Sequence, residues 1–252
     1  MGMGVENWNE IEGLLERGIT KPLPPRYLKT APHKEVIQKG DAVDLFKLPV
    51  PMSSIYDGGP MITAGVVIAK DPEFGLNSGM YRFMVKEKNL TGIDIVTPNN
   101  MRLFAQRAYE AGRPCPISIS IGTHPFEIMG SGFRAPLGVD EMGIAGGIRG
   151  APVDLVSCET IDMPCIADAE IVLEGEILPS GWVYPEGRFG EFTRLMGGLH
   201  WNPQVRINAV TMRRDAMYYA LHMPWENTWL AAPTRYNAIR RDRKSTRLNS
   251  SH

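Results

Sequence analysis

Two glutamates five positions apart form the densest group of reactive side chains in the sequence. Glu186 and Glu191 lie in the segment Tyr-Pro-Glu-Gly-Arg-Phe-Gly-Glu-Phe, residues 184–192, with glycine at positions 187 and 190. Glycine admits backbone conformations that let both carboxylates point into one pocket. Beside an arginine, such a pair can acquire two different pKa values, one suited to an acid and one to a base. Glutamate on a glycine-rich loop is more often simply solvated, so this segment alone leaves both interpretations open.

A second group combines an oxygen ligand with a fixed cation in the segment Asn-Ser-Gly-Met-Tyr-Arg, residues 77–82. We expect Asn77 at the start of a strand, where its amide oxygen can bind a metal ion, and Arg82 on that strand. In a core sheet Arg82 would require a buried anion. The alternative is that Asn77 is a turn residue and that Arg82 lies on a solvated face.

A third group is the carboxylate pair Asp140 and Glu141, which precedes a run of small residues up to position 150. The pair could bind a divalent metal ion through oxygen or cap the N-terminus of a helix. The spacing alone favours capping. The sequence contains no phosphate-binding loop of the Walker or Rossmann type and no Gly-x-Ser-x-Gly motif.

Composition excludes several classes of protein. The 252 residues include 27 Lys and Arg against 28 Asp and Glu, and 43% are hydrophobic, which argues against a disordered chain and against a nucleic-acid-binding protein. The sequence contains no run of 18 apolar residues, so it predicts no membrane helix. The polar first ten residues do not resemble a signal peptide. The three cysteines, an odd number, fit a reducing compartment. We therefore expect a cytoplasmic protein without a membrane or nucleic-acid partner.

Hydrophobic periodicity predicts the elements that carry these groups. It predicts helices at residues 8–17, 99–111 and 140–146. It predicts strands at residues 61–70, 81–86, 116–122, 153–158, 169–178, 205–212 and 216–221. The many strands, the few helices and the lack of a βαβ rhythm predict an α+β protein with a β-barrel or sandwich core.

The last eleven residues, 242–252, are polar and lack periodicity. All eleven residues match the translation of a common sequencing-adapter oligonucleotide. We interpret them as an artefact, with a genuine basic tail as the alternative, and we expect the natural sequence to continue beyond residue 241 in a longer protein. Such segments are excluded from reasoning about the fold.

Taken together, five motifs in order resemble the UbiD family of reversible decarboxylases. They are residues 58–65 (GGPMITAG), 77–82 (NSGMYR), Glu141 with 145–150 (AGGIRG), 169–175 (AEIVLEG) and 185–191 (PEGRFGE). The resemblance extends from about residue 31 to residue 233. It implies a flavin-reductase-like split β-barrel at residues 41–235, preceded at residues 1–40 by a remnant of an N-terminal α/β domain and a linker.

The resemblance also implies an activity: a carboxylate leaves as CO2 from an aromatic, heteroaromatic or α,β-unsaturated acid, with carboxylation as the reverse. The implied cofactors are prenylated FMN, a manganese-like divalent metal ion and potassium. The implied partners are a small-molecule carboxylic acid, a flavin prenyltransferase that supplies the cofactor, and further copies of the full-length chain.

The family's functional positions map onto residues of this sequence. The Glu–Arg–Glu constellation corresponds to Arg82, Glu186 and Glu191, with Glu191 as our candidate proton donor. The metal ligands correspond to Asn77, Glu141 and Asn100, although many members have histidine where this chain has Asn100. Arg188 stands where many members have proline, and could favour a second anionic group on the substrate or be solvated. The cofactor-binding positions correspond to Thr63, Asn77, Gly79, Met80, Tyr81, Arg82, Asn99, Ser131, Phe133, Ala135 and Pro136.

Two alternatives remain beside the decarboxylase. One is a non-catalytic flavin-binding barrel, which would have no need for the trio of Arg82, Glu186 and Glu191. The other is a subunit-contact protein that binds neither flavin nor metal.

Overall fold

The structure, a computed structural model, describes residues 5–249. Its helices are α1 (Trp8–Thr20), α2 (Asn100–Glu110), α3 (Pro125–Ser131), α4 (Glu141–Arg149) and α5 (Thr228–Asn249). Its strands are β1 (Arg26–Leu28), β2 (Val36–Lys39), β3 (Met61–Asp71), β4 (Gly75–Val85), β5 (Leu90–Ile93), β6 (Cys115–Ile121), β7 (Asp154–Ser157), β8 (Pro164–Ile166), β9 (Ile171–Ile177), β10 (Tyr184–Glu186), β11 (His200–Asn202) and β12 (Gln204–Met212).

Six antiparallel strands form a closed barrel in the order β12, β5, β4, β3, β6 and β9. The ring closes because β9 also pairs with β12, in a register that runs from Ile177 opposite Val205 to Ile171 opposite Met212. Strand β2 pairs with residues 209–212 at the end of β12, beyond the part of β12 that pairs with β5. The structure thus confirms the predicted α+β class, and specifies a barrel rather than a sandwich.

The burial of strand β3 on both of its faces explains why residues 61–70 are an almost unbroken run of apolar residues. Val67 and Ala69 pack into the core that the barrel shares with α2. Their neighbours Val66 and Ile68 pack into a second core, which contains residues of the small sheet formed by β1, β7 and β8. A strand buried on both faces lacks the alternation of polar and apolar residues that marks a half-solvated strand.

Two strand predictions need correction. Strand β4 begins at Gly75 rather than at residue 81, so Asn77 lies inside the strand and not at its start. Residues 216–221 form no strand. The physical reason for the second correction is that the preceding strand, β12, has no unpaired length left: it pairs with β9 along one edge, and with β5 and then β2 along the other.

The first forty residues contact the rest of the chain at several points. Helix α1 packs against α4, β1 pairs in parallel with β7, and β2 pairs with the barrel strand β12. The assignment of residues 1–40 to a separate domain stays a prediction. Among residues 5–249, no helix combines the length and the apolar character needed to cross a membrane.

Candidate functional site

The barrel brings Arg82 together with both glutamates of the 184–192 segment. Arg82, on β4, donates from Nε to Glu186 Oε1 at 3.0 Å and from Nη2 to Glu186 Oε2 at 3.2 Å. It also donates from Nη1 to Glu191 Oε1 at 2.8 Å. The partners lie 104 and 109 positions away in sequence. The buried-anion interpretation of Arg82 is therefore the one that the geometry supports.

The two glutamates differ in their surroundings. Glu186 is 2% exposed, and its Oε2 also accepts a hydrogen bond of 3.0 Å from Asn202 on β11, which is itself fully buried. The Glu191 side chain is 27% exposed. Glu186 is therefore a fixed acceptor of three hydrogen bonds, whereas Glu191 lies at the more open side of the same guanidinium group.

Burial lowers the pKa of Arg82, but the hydrogen bond and charge of Glu186 and the charges of Asp94 and Glu191 outweigh it, so the net pKa is raised. The guanidinium centre also lies 4.9 Å from the ring centroid of Phe189, within the range of a cation–π contact. The cluster therefore keeps a permanent cation between carboxylates.

Residues 186–191 form a strap that docks on the loop before β3. The Gly58 N–H donates to Arg188 O at 2.7 Å, and the Gly190 N–H donates to Asp57 Oδ1 at 3.1 Å. The backbones are so close that a Cβ atom at Gly58 would lie 2.5 Å from the Gly187 Cα. The sequence analysis did not predict this contact, and the Asp-Gly-Gly pattern at residues 57–59 was the available signal for it.

A cavity of about 570 Å³ is lined by residues 77–81 of β4, the part of the strand that precedes Arg82. Glu141 projects into it from the first turn of α4, accepting hydrogen bonds of 2.8 Å from Asn77 Nδ2 and from the Ser78 N–H. Burial raises the pKa of Glu141 to about 7. Its neighbour Asp140 caps α4 by accepting from the Met142 N–H at 2.9 Å. Asp140 and Glu141 thus have different roles: the Asp140 carboxylate caps the helix, and the Glu141 carboxylate faces the cavity.

The three residues assigned to a metal site all line this cavity. Asn77 Oδ1 is buried and has no hydrogen-bond partner among the described residues. Asn100 donates weakly to Ala135 O, at 3.4 Å. Within residues 5–249, no cluster of three His, Cys, Asp or Glu side chains suits a metal ion. One carboxylate with two amide oxygens nevertheless matches the oxygen chemistry of hard divalent cations, so the donors present fit such an ion.

Most of the assigned cofactor-binding residues line the same cavity: Asn77, Gly79, Met80, Tyr81, Asn99, Ser131, Phe133 and Ala135. Thr63, Arg82 and Pro136 are not in its wall. Thr63 instead lies in a bulge of β3 opposite Arg82, and its buried Oγ1 has no partner among the described residues. Bulges are frequent next to functional sites, where they redirect a side chain.

Helix α5 supplies cavity residues that the sequence analysis missed. Leu230, Ala231, Thr234, Arg235 and Ala238 lie in the wall. No helix was predicted here because prolines at positions 224 and 233 interrupt the pattern, and proline inside a helix is normally disfavoured. Arg134, from the segment after α3, adds a second cation beside Arg235, so the cavity suits an anionic ligand.

The closed six-stranded antiparallel barrel is shared with solved structures of UbiD-class enzymes. The structure of an evolved dimeric form of the UbiD-class enzyme HmfF from Pelotomaculum thermopropionicum, in complex with prFMN, overlays with a TM-score of 0.90. The two are 37% identical, and the match covers 95% of this chain and 56% of that one. Vanillic acid decarboxylase of Sedimentibacter hydroxybenzoicus in closed form matches with a TM-score of 0.83 and 29% identity over 90% of this chain and 50% of that one.

The chain belongs to the UbiD family: the model of the 3-octaprenyl-4-hydroxybenzoate carboxy-lyase Rift-related domain matches residues 26–224. Anhydromevalonate phosphate decarboxylase of Methanothermobacter thermautotrophicus is 36% identical over 179 residues, 71% of this chain and 42% of that protein. An uncharacterized protein of Rhodospirillum rubrum is 35% identical over 79% of this chain and 43% of its own. The chain thus spans about half the length, or less, of these relatives.

Proposed function

We propose that this chain is the cofactor barrel of a UbiD-type carboxy-lyase that uses prenylated FMN. The substrate is an aromatic, heteroaromatic or α,β-unsaturated carboxylic acid, which loses CO2 reversibly. The observation that carries the proposal is the single cluster of Arg82, Glu186 and Glu191, because a protein that only bound a flavin would have no need for it. The decarboxylases among the relatives support the same reaction class.

The cavity residues suit the cofactor. Prenylated FMN supplies an electron sink for the pair of electrons released when the carbon–carboxylate bond breaks. Its phosphate is anionic, so Arg134 and Arg235 would complement its charge, and a divalent ion on Asn77, Glu141 and Asn100 would neutralise it further. The proposal includes potassium, supply of the cofactor by a flavin prenyltransferase, and homo-oligomeric assembly of the full-length protein, as the family resemblance implies.

The cluster can bind the substrate and move a proton. Arg82 is a largely buried, permanent cation that can pair with the substrate carboxylate. Glu186 already accepts three hydrogen bonds, so its oxygens are occupied as acceptors. Glu191 is the more exposed carboxyl group and can take up a proton and deliver it to the carbon that has lost CO2.

The proposal is tested by Glu191→Gln in the full-length enzyme loaded with cofactor. Glutamine keeps the size and the acceptor oxygen but carries no acidic proton. We expect CO2 release to fall by about 10²- to 10⁴-fold, the usual contribution of a general acid, while the absorbance of the bound flavin is unchanged. The matched control is Glu87→Gln at an exposed glutamate, which should leave turnover as it is.

Unimpaired turnover in Glu191→Gln would remove Glu191 as the donor. Bound flavin in the unaltered enzyme without CO2 release from any acid of a broad panel would favour the non-catalytic flavin-binding barrel instead. Neither flavin nor metal in the purified protein would favour the subunit-contact alternative.

The metal site is tested by Glu141→Gln, with manganese binding followed by electron paramagnetic resonance. Loss of the only carboxylate among the assigned donors is expected to weaken Mn²⁺ binding at least about tenfold. Glu127→Gln is the matched control, because Glu127 is equally buried, its pKa is likewise raised by burial to about 7, and it lies outside the cavity wall. Equal Mn²⁺ affinity in the two variants would contradict the assignment.

A further inference from the structure

Arg82 has a third carboxylate partner that the sequence analysis did not single out. Its Nη2 lies 2.8 Å from Asp94 Oδ2, and both side chains are largely buried. Strands β4 and β5 pair Phe83 with Ile93, which places Arg82 directly opposite Asp94. The Asp94 N–H donates to Arg82 O at 3.1 Å, so the antiparallel pairing continues through these two residues. Directly opposite side chains project from the same face of a sheet.

Asp94 differs from the two glutamates in what holds it. Glu186 and Glu191 belong to the strap, which docks on the loop before β3, whereas Asp94 extends the same pair of barrel strands as Arg82. Its second oxygen, Oδ1, accepts from the Val96 N–H at 3.2 Å. Both carboxylate oxygens of Asp94 are therefore engaged, one by the backbone and one by Arg82, and the side chain is a fixed point.

The guanidinium group of Arg82 makes its contacts along two different edges. Nε and Nη2 face Glu186, and Nη2 also faces Asp94. Nη1 faces the more exposed Glu191. Two carboxylates from different elements therefore hold the Nε–Nη2 edge, and the Nη1 edge is left toward the one glutamate that is accessible to solvent.

We propose that Asp94 is a positioning residue for Arg82. From strand β5 it fixes the plane of the guanidinium group, and so directs the Nη1 edge toward Glu191 and the substrate carboxylate. The consequence for turnover rests on the proposed function. The restraint on Arg82 does not, since it follows from the ion pair between Arg82 and Asp94 alone. A misplacement of about 1 Å at such a group can cost on the order of 10² in rate.

The test compares Asp94→Asn and Asp94→Ala with the control Asp44→Asn. Asp44 is a half-buried aspartate whose carboxylate accepts from the Phe46 N–H at 3.1 Å, so the control makes the same change of charge away from the cluster. The first readout is hydrogen exchange of the Arg82 Nε–H by nitrogen-15 NMR, with the signal identified by its loss in Arg82→Lys. We expect exchange at least tenfold faster in both Asp94 variants and unchanged in the control.

The second readout is turnover by the loaded full-length enzyme, where we expect kcat at least tenfold lower and KM within threefold. Unchanged Nε–H exchange in the Asp94 variants would overturn the positioning role even if the unaltered enzyme decarboxylates. Faster exchange together with a normal kcat would overturn its link to turnover. Faster exchange with no decarboxylation by the unaltered enzyme would leave the restraint standing and reject the proposed function.

Discussion

Replacing Arg82 by methionine is expected to destabilise the fold and to abolish decarboxylation. Methionine retains an unbranched side chain that can pack on Phe189, so the change removes the charge and the donors rather than creating a large cavity. Asp94, Glu186 and Glu191 are then left around a site without a cation. Breaking a buried ion pair by removing one partner costs about 3–5 kcal/mol, because the remaining charge stays buried and unpaired.

The free energy of unfolding in denaturant measures this loss, with Arg26→Met as the matched control. Arg26 makes a two-point ion pair with Asp154 at 2.6 and 2.7 Å, but its side chain is 64% exposed. An exposed pair contributes at most about 1 kcal/mol. A loss in Arg82→Met no larger than that in Arg26→Met would show that the cluster has little influence on stability.

Turnover of the loaded full-length enzyme is expected to fall by more than about 10³-fold in Arg82→Met. Removal of one preorganised donor from a developing charge commonly costs about 10²- to 10³-fold, and this variant also releases the two glutamates from their common partner. Retention of turnover within tenfold would contradict the assignment of Arg82 to the reacting carboxylate.

Gly58→Ala is expected to displace the strap that carries both glutamates. The added Cβ would lie 2.5 Å from the Gly187 Cα, 2.9 Å from the Gly187 carbonyl carbon and 3.0 Å from the Arg188 nitrogen. All three are backbone atoms, so no change of rotamer can relieve the contact. Overpacking of this kind typically costs about 1–3 kcal/mol, and the strap can relieve it only by moving away from the barrel.

The functional effect should exceed the effect on stability. Glu186 and Glu191 flank the displaced glycines, and a shift of about 1 Å at a reacting group can cost on the order of 10² in rate. The control is Gly198→Ala, because a Cβ atom there would meet no described atom within 4 Å. Equal turnover and equal unfolding free energy in the two variants would show that the strap does not depend on the close approach to Gly58.

Local patterns in the sequence determined several elements of this fold. Helix α2 follows its predicted bounds because Asn99 caps it, accepting from the Arg102 N–H at 2.9 Å, and because Gly112 adopts a left-handed conformation just after its end. Strand β3 was predicted from a run of apolar residues that only a fully buried strand requires. Capping and turn formation depend on neighbours in the chain, and an unbroken apolar run is visible without knowing what packs on it, so these elements can be predicted from the sequence alone.

The sequence motifs also determined the family, which the comparison with the family model confirms over residues 26–224. They nominated Arg82, Glu186 and Glu191, but on the segments alone the solvated alternative was open for each. Local patterns could not decide between the alternatives, because burial of a charged side chain depends on what packs over it.

The tertiary structure alone decided which charges meet. Pairing of β4 with β5 puts Asp94 opposite Arg82, and docking of the strap brings Glu186 to the same guanidinium group from 104 positions away. Helix α5, which the sequence analysis did not predict because of its prolines, completes the wall of the cavity. An isolated arginine or glutamate in water has no preferred partner, and exclusion of water by the assembled barrel makes these pairings the ones that satisfy the buried charges.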